Sequence, residues 1–408
     1  MQGIENIAGM NPERLTNINN HLNQQYIQKG KIAGTVTLVY RRGEVTYFDA
    51  QGMMDVERNK TMQKDTLFRI YSMTKPITSI AMMQLYEQGK FQLSDPVHRF
   101  IPEWQGLRVY ESGRAPLMAT SRPERPMQIH DLFTHMSGLT YGFSERTNVD
   151  AMYRKKGIGT FDLEPQGNLQ DMINDLAKLP LEFSPGSHWN YSVSTDVLGY
   201  LIEKISGQPL DEYLQDNIFT PLGMKDTGFH IPKDKQSRFS ACYMRGGKGE
   251  LALQDDPQDS YYLSKPDFLS GGGGLISTAG DYLQFCKMLL NKGQLDGHQI
   301  ISKKTLEFMT TNHLPNGCDL GSIAIGAFSE SLYDGVGFGL GFSVALDPTK
   351  SKTIASVGEY AWGGAASTAF WIDPEEDMAV VFMTQLLPSS TYNLRGQLKQ
   401  LIYGAIVD

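Results

Sequence analysis

The sequence predicts an α/β fold: an antiparallel sheet assembled from both ends of the chain, flanked by terminal helices, with a mostly helical insertion between. Three observations carry this. Residues 33–52 read as a hairpin rich in β-branched side chains, strand-like runs return between 336 and 385, and helical periodicity dominates the stretch between. The expected division is a discontinuous α/β domain, 1–75 with 236–408, and an inserted helical domain, 76–235. A cleft between two such units is a common place for a site.

Taken in order, residues 11–29 open as a helix, with Leu15, Ile18, Leu22 and Tyr26 spaced along one face. AGTVTLVY and VTYFDAQG, joined by the turn RRGE, form the hairpin. A helix opens near Ser72 and runs to Gly89, with Pro76 in its first turn, where a missing N–H is tolerated. Segment 194–207 starts on Ser/Thr and closes on Gly207, and another helix follows at 210–219. The polar run 233–263 reads as an irregular surface excursion. Four glycines, Gly271 to Gly274, lead into a further helix. VGFGLGFSVALD, KTIASVGEY, ASTAFWIDP and MAVVFMTQ read as strands, and a last helix covers 391–403.

Composition narrows the function class. A net charge of -8 gives no support for nucleic-acid binding, which favours basic faces. No apolar run reaches the length of a membrane span, and residues 1–30 lack the charged start and apolar centre of an export signal. The three cysteines, Cys242, Cys286 and Cys318, are far apart and odd in number, so neither a disulfide framework nor a zinc set is expected. These features lead us to expect a cytoplasmic protein without a metal.

Ser72-Met73-Thr74-Lys75 is the sole S-x-x-K of the chain. On a helix, positions three apart are neighbours, so an amine would stand beside a hydroxyl. A serine hydroxyl attacks poorly until a base takes its proton, and a neutral amine can be that base. Alone the motif means little, since it arises by chance about once in a chain of this size. Its company raises it: Trp189-Asn190-Tyr191-Ser192 follows just before the 194–207 helix, and Trp362-Gly363-Gly364 falls between two late strands.

These three motifs in this order resemble family VIII carboxylesterases, the esterase branch of the serine β-lactamase-like superfamily related to class C β-lactamases. His135-Met136-Ser137-Gly138-Leu139, the segment 184–203 and the segment 270–282 match as well, so the resemblance spans about residues 10 to 400. It implies a β-lactamase/penicillin-binding-like fold and a serine esterase acting on small carboxylic esters without a cofactor. It implies Ser72 as nucleophile, with Lys75 and Tyr191 as the general-base network. The backbone N–H groups of Ser72 and Ala365 would be the oxyanion hole, and Trp362, Gly363 and Gly364 the pocket strand. A neighbouring ammonium is expected to lower the Tyr191 pKa, and the two glycines to let the strand approach substrate closely.

The chain departs from penicillin-recognising enzymes in having Val193 where Y-x-N carries asparagine, and no K-T-G or H-x-G. That weakens the case for β-lactam recognition and leaves acyl transfer intact. A β-lactamase or amide hydrolase, an acyltransferase, and a non-catalytic binding protein on the same scaffold remain rivals. Tyr262, in Tyr-Leu-Ser, is a competing tyrosine, and His135 reads as a structural histidine. The small-molecule ester is the expected partner; oligomeric state stays open.

Overall fold

The computed structural model describes residues 6–161, 167–326 and 333–408. Its centre is an eight-stranded antiparallel sheet: β1 (Gly34–Arg41), β2 (Glu44–Asp55), β3 (Lys60–Thr61), β4 (Val336–Phe338), β5 (Ser343–Ala345), β6 (Tyr360–Gly363), β7 (Ala369–Asp373) and β8 (Met378–Met383). Their order across the sheet is β4-β5-β6-β7-β8-β1-β2-β3. The two ends of the chain therefore meet in the middle, with Val36 opposite Met383 and Arg41 opposite Met378.

Alternation along β8 decides what covers each face. Met378, Val380 and Phe382 join a cluster with Leu15, Ile18 and Leu22 of α1 (Pro12–Leu22). The helix α5 (Leu394–Tyr403) adds Leu394, Leu398 and Ile402 to that side. Ala379, Val381 and Met383 turn the other way into the main core. There they share it with α2 (Thr74–Glu87), α3 (Ser194–Ser206) and α4 (Ala279–Leu290). β8 is fully apolar because it is covered on both sides.

Three expectations change. VGFGLGFSVALD is two paired strands, because the chain reverses at Gly339–Phe342, with Gly341 at φ +95° and no room for a Cβ against Ser79. KTIASVGEY is largely coil: a short helix Pro348–Ser351 precedes it, and the strand starts only at Tyr360. Segment 233–263 is more ordered than its polarity suggests. Cys242–Arg245 and Leu251–Asp255 pair as a hairpin, and Leu386–Leu387 adds in parallel. One of its acids faces inward: the buried Asp255 meets the buried Arg69 guanidinium at 2.5 Å. Helix 11–29 continues past Leu22 as a π-turn, Asn23–Ile27. Among the described residues no helix is long and apolar enough to cross a membrane.

Candidate active site

The chain enters the site along Phe68–Arg69 and turns sharply. Tyr71 sits at φ +42°, a conformation a tyrosine adopts only when its surroundings hold it there. Ser72 falls in the 3₁₀ turn Tyr71–Met73, and α2 begins just beyond it. This brings the Lys75 amine to 3.1 Å from Ser72 Oγ, as three-residue spacing requires. The same Nζ donates to the Gly272 carbonyl at 2.7 Å, so the four-glycine run is a backbone cradle for the lysine. Lys75 is 2% exposed.

Tyr191 arrives from the turn ahead of α3. Its hydroxyl is hydrogen-bonded to Ser72, and Trp362 Nε1 donates to it at 3.4 Å. Its ring centroid is 4.6 Å from Lys75 Nζ. The three sequence motifs therefore converge on one serine. Trp362, Gly363, Gly364 and Ala365 border the same cavity, of about 500 Å³. Among the described residues neither the Ser72 nor the Ala365 amide N–H has a protein acceptor, which leaves both available to an oxyanion.

Burial sets the protonation states. It lowers the Lys75 pKa to about 7, with the Asp196 charge pulling partly back upward. It raises Tyr191 well above the usual tyrosine range, despite the hydrogen bonds from Ser72 and Trp362. The expected lowering of Tyr191 is thus reversed: its neighbouring amine is itself half neutral near pH 7, and desolvation of a phenolate outweighs it. His135 is held neutral by burial and by Lys75; its Nδ1 meets Ser192 Oγ at 3.2 Å and its ring packs on Tyr191 at 4.9 Å.

The glycines of the pocket strand make room for protein groups. A Cβ on Gly363 would lie 2.2 Å from the Arg395 guanidinium, and one on Gly364 would lie 2.4 Å from the Ile70 carbonyl. Close approach is real, and it is to these neighbours. Val193 is buried in the core beside Gly159 and Tyr141. Tyr262 borders the cavity but sits over Arg69 and Phe239.

Asp196 is the residue that motif reading missed. It accepts from Ser270 Oγ at 2.5 Å and from the Gly272 N–H at 3.0 Å, so it anchors the residue whose carbonyl holds Lys75. Its one sequence signal is an acid in the first turn of α3, five positions after Tyr191. Arg395, on α5, is the other omission, since nothing in its surroundings marks it as a pocket residue.

The beta-lactamase family pattern matches residues 19–403. The chain belongs to the beta-lactamase family. It is 36% identical over 363 residues to an uncharacterized protein of Mycobacterium tuberculosis, covering 88% of this chain and 87% of that one. It is 30% identical over 376 residues to Esterase EstB of Burkholderia gladioli, covering 88% of each. Among solved structures it is similar to EstCE1, described as a hydrolase with promiscuous acyltransferase activity. That match has TM-score 0.80 and 28% identity and covers 96% of this chain and 99% of the other. The family VIII esterase-like serine hydrolase expected from the motifs fits these relatives, and the fold is the β-lactamase/penicillin-binding type expected.

Proposed function

We propose that the protein is a serine carboxylesterase that works through an acyl-Ser72 intermediate, without a cofactor. The observation that carries this reading is the Lys75 amine 3.1 Å from Ser72 Oγ, buried and brought to a pKa of about 7. Near neutral pH a useful fraction of Lys75 is an unprotonated base. It takes the Ser72 proton as Oγ attacks the ester carbonyl, and the oxyanion is held by the Ser72 and Ala365 N–H groups. Tyr191, kept as a phenol by burial, donates to the departing alkoxide, and the Lys75 ammonium restores that proton. Water then releases the acid by the reverse sequence.

Esters are favoured over β-lactams on recognition alone, since both react through an acyl-serine. Val193 cannot hydrogen-bond an amide side chain, and Trp362 puts at the motif position a neutral donor that is already given to Tyr191, while the cation beside Gly363 is Arg395. Each missing contact of this kind is worth roughly ten- to a hundredfold in kcat/KM. The decisive measurement compares p-nitrophenyl acetate or butyrate with a chromogenic cephalosporin in one buffer, alongside peptide mapping after fluorophosphonate treatment. Label on Ser72 and a clear ester preference are expected. Label elsewhere, or a cephalosporin that matches the ester, would overturn the reading.

Acyl transfer to an alcohol is the second reading, supported by the likeness to EstCE1 and by a cavity with space for an acceptor beside the acyl group. Adding a primary alcohol during ester turnover and measuring the ester formed against the acid released separates the two.

A further inference from the structure

The cavity carries a row of rings that the chemistry above does not use. Tyr141 lies 5.2 Å from Tyr191 by ring centroids, Phe143 stacks on Tyr141 at 4.5 Å with planes 16° apart, and Phe161 stacks on Phe143 at 4.4 Å and 17°. All four border the cavity, and the row ends on Phe161, which is 42% exposed. Among the described residues the row runs from the reacting centre to this exposed ring.

Two glycines build the row. A Cβ on Gly142 would lie 2.5 Å from the Ile158 carbonyl, and one on Gly159 would lie 2.7 Å from Tyr141 Cδ1. The 141–144 and 157–161 segments therefore press together without side chains between them, and the Phe143 N–H bonds the Gly159 carbonyl at 3.0 Å. The rings are held as a fixed surface and need little ordering when a ligand arrives. Small acyl groups at Ser72 would leave that surface unused. A cavity of about 500 Å³ is of the size that encloses a multi-ring ligand.

We propose that the Tyr141–Phe143–Phe161 row is a binding track for an aromatic, multi-ring group, so that the preferred substrates are bulky aromatic esters. This rests on the esterase reading for its chemistry and on the ring geometry for its specificity. Ring faces and edges attract other rings beyond simple burial, which favours aromatic over aliphatic bulk.

The test has a kinetic arm and a binding arm. Phenyl acetate and 2-naphthyl acetate vary the alcohol side with matched leaving groups, and 4-nitrophenyl benzoate and 4-nitrophenyl 2-naphthoate vary the acyl side. On at least one side the larger ester should win by about tenfold in kcat/KM, the factor that burying one extra fused ring brings. Phe161→Ala, at an exposed position, and Phe143→Leu, which keeps volume but not the ring, should cut that ratio several-fold. In the binding arm, calorimetry on Ser72→Ala compares acetophenone with 2-acetylnaphthalene. Tighter naphthyl binding, lost in the Phe161→Ala background, is expected. Equal binding of the two ketones, or a ratio indifferent to both ring variants, would overturn the track. A wild type that binds the naphthyl ketone along the row yet hydrolyses no ester would overturn the esterase reading and leave the track standing.

Discussion

Asp196 does two things to Lys75: its charge supports the ammonium form, and its carboxylate anchors the N–H of Gly272, the residue whose carbonyl orients the amine. The two are separable. Besides Asp196, the titratable groups around Lys75 among the described residues are Tyr191, Tyr141 and His135, all held neutral by burial, so of these the carboxylate is the charge that matters. The proposed mechanism needs neutral Lys75, so it predicts that kcat/KM rises with pH through a limb centred at about 7. Asp196→Asn keeps acceptor geometry but removes the charge, so the limb should move to lower pH; a limb that stays or moves up would refute the assignment. Lys75→Ala and Tyr191→Phe should each lower kcat by about 10²- to 10⁴-fold with little change in KM. Because both touch Ser72, the double variant should lose far less than the product. Ser72, Lys75 and Tyr191 were readable in the sequence because the motif order announces them. Asp196 was not, because its importance lies in contacts with Ser270 and Gly272, more than seventy positions away.

Elements were legible where periodicity and punctuation agreed, as in the first hairpin and the helix that closes at Gly207, where φ is +76°. They were misread where polarity was taken for irregularity. The 233–263 segment reads as an irregular loop because its acids and hydroxyls are countable in sequence, while Arg69, the partner of Asp255 and Ser260, lies far upstream. That guanidinium is fully buried against Asp255, the Ser240 carbonyl at 2.7 Å and the Phe239 ring at 3.9 Å. Removing one member of a buried pair leaves the other charge unmatched, at a cost of about 3–5 kcal/mol. Arg69→Ala should therefore lower stability by that order in urea denaturation, whereas Arg69→Ala with Asp255→Ala should recover part of the loss. Since Phe68–Arg69 leads directly to Tyr71 and Ser72, the single variant should also lower kcat. A single variant as stable as wild type would remove the pair from this role.

The sheet is one continuous object made from distant parts. The first strand of the chain is central only because β8 lies beside it, and β6, which carries Trp362, is ordered through β7 and β8. A chain lacking residues 378–408 would leave the almost wholly buried β1 with a bare edge, an open template for wrong pairing. Such a truncation should appear in the insoluble fraction on expression, and a soluble, monomeric product would contradict the central role of β8.

The pairing of Val36 with Met383 also sets a clock for synthesis. A ribosome adds about 5–20 residues each second, so on the order of tens of seconds separate the emergence of β1 from that of its partner. Through that interval the hairpin has left the exit tunnel but has no β8 to close on. Ser72 and Lys75 are already outside, while Trp362 and Ala365 have not been made. Nascent chains stalled before residue 378 should accordingly remain bound to holding chaperones, and catalytic competence should appear only after the chain is released.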